Sequence, residues 1–429
     1  MGVVWVEEAY PTAAAIQILY GKLLYRDVWF DKPPLSAYLY VLWDARIGWP
    51  LRIAGAIFIF LCCWMAWRFA RDLWGPREGL AAASLLAFFL TFGIPAAVMA
   101  MAPDLLMILP HLAAVYLAWR GRAFASGMVG GIAMLVNPKA AFVLAACLLW
   151  AGGAWPWLAA GFAIPNAVAL AIFGKPYILE VWRWGTLYSR QAFDLSTGFV
   201  RTLNWAGFHS ALIIGAAFAF WKEKRWNMGV WLVFSLIAVA AGWRFFPRYY
   251  FQLLPVLVLL AARGYTLLGK WRAAIWLLLL IPLVRFGPRY LTLANDLMHH
   301  RQTQWSDLAM TQDSREAADR ITGGTLLVWG YRPDVFAYTQ MQAGTRFLDS
   351  QPLTGVLADR HLTNSDVMAP EIAAENRKEL THTAPTWIVD GLGPFNPNLA
   401  ITNYPDLRDW LTNYSEVART RSSIIYRRK

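Results

Sequence analysis

The sequence has few charged side chains and little that could form a disulfide framework. Only 15% of its 429 residues are charged, whereas 58% are hydrophobic; soluble domains usually carry about 25% charged residues. Its three cysteines, Cys62, Cys63 and Cys147, lie inside apolar runs, and their spacing is not typical of a disulfide frame or a zinc site. The composition therefore argues against a disulfide-stapled secreted domain and predicts an integral membrane protein.

The formal net charge is +12, because acidic residues are even scarcer than basic ones. In a soluble protein such an excess would suggest nucleic-acid binding. Here the Lys and Arg residues gather in short loops between apolar runs, such as WRGR and WKEKRW, where they set the orientation of a membrane protein. We therefore expect membrane lipid around the chain and no nucleic-acid partner.

Long apolar runs predict an all-α polytopic membrane protein, because a transmembrane helix needs roughly 17–25 residues. We expect a first outer loop with amphipathic surface helices and an acidic motif at 1–50, a multi-helix membrane domain at 51–290, and a small extramembrane α/β domain at 300–429. About ten spans are predicted, at 51–71, 78–97, 104–119, 123–137, 139–153, 155–173, 204–221, 227–244, 248–265 and 271–287.

The basic loops indicate which side of the membrane each segment faces. The positive-inside rule puts them in the cytoplasm, so we expect a protein of the plasma or inner membrane. The N-terminal loop and the C-terminal domain then lie on the outer face of that membrane. An N-terminus that starts outside needs a way across the bilayer. We therefore expect a further helix upstream of Met1, with unaided translocation of the short segment as the alternative.

Charged and polar residues at the outer ends of the spans are the candidate functional residues, because an ionisable group at membrane depth is costly. Acids suit a proton acceptor or a metal ion, and Lys and Arg suit a phosphate. Each residue taken alone could instead cap a helix or extend to the interface. The candidates are Glu7, Glu8, Asp31, Lys32, Asp104, Lys139, Arg248 and Tyr249.

Sugar transfer from a polyprenyl-linked phosphate would use all of these groups. A phosphate leaving group needs cations to stabilise its developing charge. A hydroxyl or amine acceptor needs a carboxylate to orient it or take its proton. The lipid tail needs an apolar groove between helices.

Five motifs, EEAY, YGKLLYRDVWFDKPPL, APDLLM, NPKAAF and PRYYFQLLPVLVLLAARG, occur in the order seen in a known family. Over about residues 5–290 the chain resembles membrane-embedded class C glycosyltransferases, in the bacterial branch related to protein O-mannosyltransferases and the lipid A aminoarabinose transferase. The resemblance implies many membrane helices with a large first outer loop. It also implies inverting transfer of a hexose or pentose from a polyprenyl-phosphate donor to a glycan, lipid or protein acceptor.

The resemblance assigns roles in the first outer loop. Its acidic pair maps to Glu7, the implied catalytic base, and Glu8, although the family usually has Asp in the first position. The acid-Lys-Pro-Pro step maps to Asp31 and Lys32, with Lys32 expected at the lipid phosphate. The acids allow a divalent metal ion without requiring one, and Asp31 is its candidate ligand.

Further roles fall at the ends of later spans. The resemblance makes Asp104 a second outer acid, and it makes Arg248 and Tyr249 a pair near the phosphate. Lys139 is a further phosphate candidate because of its charge and its position at the start of a span. The outer loop 175–203, which carries Glu180, could rest on the bilayer as an amphipathic helix or gate the site.

Two other classes of protein compete with the enzyme. A flippase or transporter for the same lipid would show repeated halves and charges near the middle of the bilayer. Here the charges cluster at one face, and no inverted repeat is evident. A scaffold with an outer binding domain would leave the ordered acidic and basic motifs unexplained. The sequence therefore favours a glycosyltransferase.

Overall fold

The computed structural model describes residues 2–93, 99–190, 195–301, 306–358, 360–362 and 364–429. These residues form two compact units. The mixed unit combines residues 1–53, 173–188 and 304–429, and the helical unit combines residues 54–172 and 189–303. The predicted division into three parts stays a prediction, but the structure groups its first and last segments in one unit.

Helices account for most of the described residues. The helices are α1 (Val6–Leu19), α2 (Leu35–Val41), α3 (Trp49–Trp74), α4 (Pro76–Phe92), α5 (Pro103–Leu106), α6 (Ile108–Trp119), α7 (Ala123–Met134), α8 (Ala140–Ala151), α9 (Trp155–Tyr177), α10 (Trp184–Arg190), α11 (Leu195–Phe208), α12 (Ser210–Glu223), α13 (Trp226–Ala240), α14 (Leu254–Leu267), α15 (Arg272–Leu278), α16 (Leu280–Met298), α17 (Ser306–Asp319), α18 (Asp334–Thr339), α19 (Gln351–Thr354), α20 (Pro370–Thr381) and α21 (Arg408–Leu411). The strands are β1 (Thr325–Trp329), β2 (Gln342–Ala343), β3 (Trp387–Asp390), β4 (Tyr414–Arg419) and β5 (Ile424–Arg428).

The predicted architecture, membrane helices with a small C-terminal sheet domain, is confirmed. Among the described residues, three helical stretches are long and apolar enough to cross a membrane, at Trp49–Trp74, Ala140–Leu187 and Gly269–Met298, and the bent pair α11–α12 would make a fourth. Shorter apolar helices lie at Pro103–Trp119, Ala123–Met134, Trp226–Ala240 and Leu254–Leu267. The count of about ten spans stays a prediction, and residues 94–97 of the span predicted at 78–97 lie outside the described residues.

Small residues allow α12 and α14 to approach closely in the helical unit. A Cβ atom added to Gly264 of α14 would lie 1.9 Å from the backbone oxygen of Gly215 of α12, so no larger side chain fits there. Such close backbone contacts are common between membrane helices, where packing replaces the hydrophobic effect. Arg263, next to Gly264, adds ion pairs to Glu78 of α4 and Glu223 of α12. Packing and charge together fix these three helices.

A five-stranded mixed sheet with the order β2-β1-β3-β5-β4 organises the C-terminal part of the mixed unit. Strands β2, β1 and β3 are parallel, and β5 and β4 continue the sheet in antiparallel pairing. All four residues of β3 are buried, as expected for a strand covered on both faces. The sequences GTLLVW and APTWIVDG predict strands, and the segment after GYRP predicts a helix; they form β1, β3 and α18.

The end of the chain differs from the sequence prediction. Its sequence, YPDLRDWLTNYSEVARTRSSIIYRRK, predicts a helix followed by a final strand. Instead, only a short helix, α21, precedes an antiparallel hairpin of β4 and β5. The β-branched residues of SEVAR and IIY favour strands. Pairing of these two segments at the edge of the sheet outweighs the helical propensity of the segment before β4.

Helix α1 was expected to lie amphipathically on the membrane surface. The helix is present, but residues Glu8 to Gln17 are buried on every side, because α1 packs against α2 and α18 within the mixed unit. Its sequence is rich in Ala and Ile with little polar contrast between faces. Its position is therefore that of a buried helix, which differs from the predicted surface position.

Candidate active site

Asp104 is the centre of a polar cluster in the helical unit. It stands in the first turn of α5, directly after Pro103, whose fixed backbone suits the first helical position. Its side chain is buried, and its Oδ1 atom accepts a hydrogen bond of 3.1 Å from the Asn137 side-chain amide. The same amide group anchors Lys139, because Asn137 Oδ1 accepts the Lys139 backbone N–H at 3.0 Å. Asn137 therefore positions both the Asp104 carboxylate and the backbone of Lys139.

Two cations share the Asp104 carboxylate. Lys139 Nζ lies 3.3 Å from Asp104 Oδ1, and Arg248 Nε lies 3.4 Å from Oδ2. The Lys139 ammonium also sits 3.0 Å from the centre of the Tyr249 ring, a cation–π contact. The 3₁₀ turn Pro247–Gln252 presents Arg248 and Tyr249 from neighbouring positions.

Asp104, Lys139 and Arg248 together carry one net positive charge. The acid holds the two cations near each other, which reduces the repulsion that would otherwise separate them. About a third of the Arg248 side chain is exposed to solvent, whereas Lys139 is largely buried. This arrangement can attract an anion such as a phosphate, and Asp104 serves as the counterion that orients the cations.

Lys32 lies in the mixed unit, beside its chain neighbour Asp31. The Lys32 Nζ atom donates to Asp31 Oδ2 at 3.0 Å; 42% of the Lys32 side chain but only 6% of the Asp31 side chain is exposed. The Pro33-Pro34 step leads directly into α2, and Ser36 Oγ donates to the Pro33 carbonyl at 2.6 Å. The ammonium is therefore accessible on a restricted backbone, with a buried carboxylate beside it.

Asp349, which the sequence analysis did not single out, adds a second buried acid near Asp31. Burial and the negative charge of Asp31 together raise the pKa of Asp349 to about 7. Its Oδ1 atom accepts the Gln351 N–H at 2.7 Å. Within the described part of the chain, Asp349 Oδ2 and Asp31 Oδ1 are buried without a hydrogen-bond partner. No local motif marks Asp349, since its role depends on a segment more than 300 residues away.

The acidic pair of α1 separates into two different environments. The Glu8 side chain is fully buried and binds Arg52 through both oxygens, at 2.9 and 2.8 Å. Glu8 Oε2 also accepts the Trp5 N–H at 3.3 Å, which caps the helix. Glu7 is only partly buried in the same first turn. A catalytic role for either residue stays a prediction, and the Glu8 contacts are those of a structural ion pair.

Metal binding finds little support in the described residues. Across those ranges, no group of three or more His, Cys, Asp or Glu side chains is placed to hold a metal ion. Asp31 and Asp349 each offer one buried oxygen, which is fewer ligands than the six to eight oxygens that Ca²⁺ takes. The ion-binding role of Asp31 stays a prediction.

Comparisons with known proteins find similarity in part of the sequence and in the fold. Residues 31–176 match the family model described as dolichyl-phosphate-mannose-protein mannosyltransferase. The fold is similar to that of ArnT from Cupriavidus metallidurans bound to undecaprenyl phosphate, with a TM-score of 0.56 at 14% identity, covering 98% of this chain and 93% of that one. No curated protein matches by sequence.

Two further solved structures share the fold. The apo form of the same ArnT gives a TM-score of 0.53 at 15% identity, covering 99% of this chain and 93% of that chain. An oligosaccharyltransferase from Archaeoglobus fulgidus, in complex with zinc and sulfate, gives 0.50 at 14% identity, covering 99% of this chain and 69% of that chain. The resemblance to membrane-embedded class C glycosyltransferases is therefore confirmed. The comparisons support a glycosyltransferase, and the chain is a multi-pass membrane protein.

Proposed function

We propose that this protein is an integral membrane glycosyltransferase that moves a sugar from a polyprenyl-phosphate donor to an acceptor, with inversion at the sugar. The observation that carries the proposal is the Asp104 cluster, in which Lys139 and Arg248 lie 3.3 and 3.4 Å from one buried carboxylate. Two cations preorganised by a single acid suit a leaving group whose negative charge grows in the transition state. The ArnT that shares this fold was crystallised with undecaprenyl phosphate, which supports a lipid phosphate as the ligand.

Asp104 itself is a poor candidate for the catalytic base. Its oxygens already accept hydrogen bonds or ion pairs from Asn137, Lys139 and Arg248. A base must have an oxygen that the acceptor proton can reach, and these contacts already occupy both Asp104 oxygens. We assign the base to Glu7, as the resemblance implies, and to Lys32 a contact with the donor phosphate.

The reaction belongs on the outer face of the plasma or inner membrane in this proposal. The basic loops WRGR and WKEKRW favour a cytoplasmic position under the positive-inside rule, which puts the C-terminal α/β domain outside. The acceptor is then a glycan, lipid or protein that is reached from the outside. The donor sugar is a hexose or a pentose.

A transfer assay in proteoliposomes tests the proposal. A panel of radiolabelled polyprenyl-phosphate sugars would be offered to the wild-type protein and to Lys139→Gln, Lys32→Ala and Glu7→Gln. We expect transfer from one donor, with kcat/KM reduced by about a hundredfold or more in each variant. Lys222→Gln is the matched control, because Lys222 also lies over an aromatic ring, 4.6 Å from the Trp221 centroid, in the same unit.

The outcomes separate the competing functions. Donor cleavage that depends on Lys139 but not on Lys222 supports the transferase. Movement of the intact donor across the bilayer without cleavage would support a flippase instead. Neither cleavage nor movement with any donor, in protein shown to be folded, would contradict the proposal.

A further inference from the structure

The loop Tyr25–Lys32 is held by two segments that are distant in the sequence. The Trp29 N–H donates to the Arg346 carbonyl at 2.8 Å, and Arg346 Nη2 donates to the Tyr25 carbonyl at 2.8 Å. From the other segment, Glu180 Oε2 accepts the Phe30 N–H at 2.9 Å. Two backbone amides just before Asp31, at Trp29 and Phe30, are thus fixed, and so is the Tyr25 carbonyl at the start of the loop.

Glu180 and Arg346 also bind each other, although 166 residues separate them. The guanidinium of Arg346 forms an ion pair with Glu180 Oε1, while the other carboxylate oxygen binds the loop. Glu180 is buried, and the Arg346 side chain is largely buried. Glu180 lies on the π-helical turn Ile178–Arg183, and such turns are frequent at functional sites.

Aromatic packing surrounds this pair. The Trp29 ring meets the Trp184 ring edge-on at 5.8 Å and lies 6.4 Å from Phe347, and the Arg346 guanidinium is 5.7 Å from Trp29. At the start of the loop, Tyr25 has a left-handed backbone with φ of 66°. Its hydroxyl donates to the Lys32 carbonyl at 2.8 Å, which connects the two ends of the loop. The path of the backbone to Lys32 is therefore specified at several points.

We propose that Glu180 and Arg346 are positioning residues that set the place of the Lys32 ammonium through the backbone of the loop Tyr25–Lys32. The inference rests on the proposed function, in which Lys32 contacts the donor phosphate. Neither residue reaches the phosphate in this role. Their effect arises because a displaced Lys32 ammonium loses its charge-assisted hydrogen bonds to the donor phosphate, which weakens binding of the donor.

Binding and transfer measurements on the full chain in proteoliposomes test this role. Arg346→Gln removes the charge, and Arg346→Lys keeps the charge but loses the planar guanidinium, whose Nη2 donates to both Glu180 and Tyr25. We expect the affinity for undecaprenyl phosphate to fall about tenfold in Arg346→Gln and less in Arg346→Lys. The donor KM should rise in the same order, while kcat at saturating donor changes by less than about threefold. Glu180→Gln should resemble Arg346→Lys.

Arg377 provides a matched control within the same unit. It pairs with Asp406 at 2.7 Å and donates to the Leu353 carbonyl at 2.7 Å, and it lies over the Tyr404 ring. Arg377→Gln therefore removes the same kinds of contact away from the loop Tyr25–Lys32. Its phosphate affinity should stay within about twofold of the wild type, even if its unfolding midpoint falls.

Hydrogen exchange separates failure of this inference from failure of the proposed function. Exchange at the Trp29 and Phe30 amides should speed up about tenfold or more in Arg346→Gln but not in Arg377→Gln, with or without any ligand. Unchanged exchange, or equal losses of affinity in both variants, would overturn the positioning role. If the wild type neither bound undecaprenyl phosphate nor transferred sugar, the proposed function and the role assigned through Lys32 would both fail, whatever the exchange showed.

Discussion

The Lys139 ammonium lies 3.0 Å from the centre of the Tyr249 ring, and these two residues come from segments more than 100 positions apart. The ring face carries partial negative charge and attracts the cation, while Asp104 holds the same nitrogen from another direction. The ammonium is therefore fixed before any ligand arrives. Preorganisation of this kind lets a binding site stabilise charge without first reorganising itself.

Replacing the ring tests this relationship. Tyr249→Leu removes the cation–π contact, which is worth about 1 kcal/mol or more when desolvated. We expect donor affinity to fall about fivefold to tenfold as Lys139 loses its fixed position. Tyr249→Phe keeps the ring and should stay within about threefold of the wild type. Equal losses in both variants would show that the hydroxyl, and not the ring, is what matters.

Replacement by Gln should reduce stability at Glu8 and transferase activity at Glu7. Glu8→Gln breaks a fully buried ion pair with Arg52 and leaves that guanidinium without its counterion. We expect the free energy of unfolding to fall by about 3 kcal/mol. Glu7→Gln should abolish transfer with little change in unfolding, because Glu7 is only partly buried. Thermal unfolding in detergent and the transfer assay, run on both variants, check the contrast; a large stability loss in Glu7→Gln would contradict it.

Stability should depend on pH through Asp349. Its pKa is raised from 3.8 to about 7 by burial and by Asp31, so the folded protein keeps this proton where the unfolded chain has lost it. The contribution of Asp349 to the free energy of unfolding is therefore greatest below about pH 4. It falls as the pH rises to about 7 and is constant above that, and the total loss is up to about 4 kcal/mol. Asp349→Asn cannot ionise and should show a flatter profile and a higher unfolding midpoint at pH 8. Parallel pH profiles of the two proteins would contradict this prediction.

The contact between α12 and α14 should tolerate no side chain at Gly264. A Cβ there would lie 1.9 Å from the Gly215 oxygen, so Gly264→Ala must separate the helices. We expect a loss of at least about 3 kcal/mol or no folded protein, measured by unfolding and by size-exclusion chromatography in detergent. Gly287→Ala in α16 is the control, because the nearest atom to its Cβ is a Leu283 methyl at 3.9 Å. A mild effect at Gly264 would contradict the close packing.

Part of the candidate site could be predicted from local sequence signals. Asp104, Lys139 and Arg248 each begin an apolar span. Because the basic loops at alternate turns of the chain are expected in the cytoplasm, all three residues are predicted on the outer face of the membrane. The structure places the Lys139 and Arg248 nitrogens 3.3 and 3.4 Å from the Asp104 carboxylate oxygens. Their chemical roles stay predictions.

Other features could not be predicted, because they depend on the path of the chain between distant segments. The EEAY motif treats its two acids alike, but Glu8 forms a buried ion pair with Arg52 in the structure. Glu180 was grouped with an outer loop of undecided conformation, and Arg346 and Asp349 carried no recognisable motif. The environment of each of these residues is set by a partner more than 40 residues away in the sequence.

The sequence by itself determined the membrane class, the order of the motifs and three of the five strands of the C-terminal sheet, β1, β3 and β5. Apolar run length, charge distribution and β-propensity are local properties of the chain. The tertiary structure decided which charges meet. It buried α1 on all sides, paired β4 with β5, and placed Glu180 and Arg346 around the loop that ends at Lys32. The physical reason is that a buried ion pair depends on distance and exclusion of water, and both are set by packing between segments that the sequence alone does not bring together.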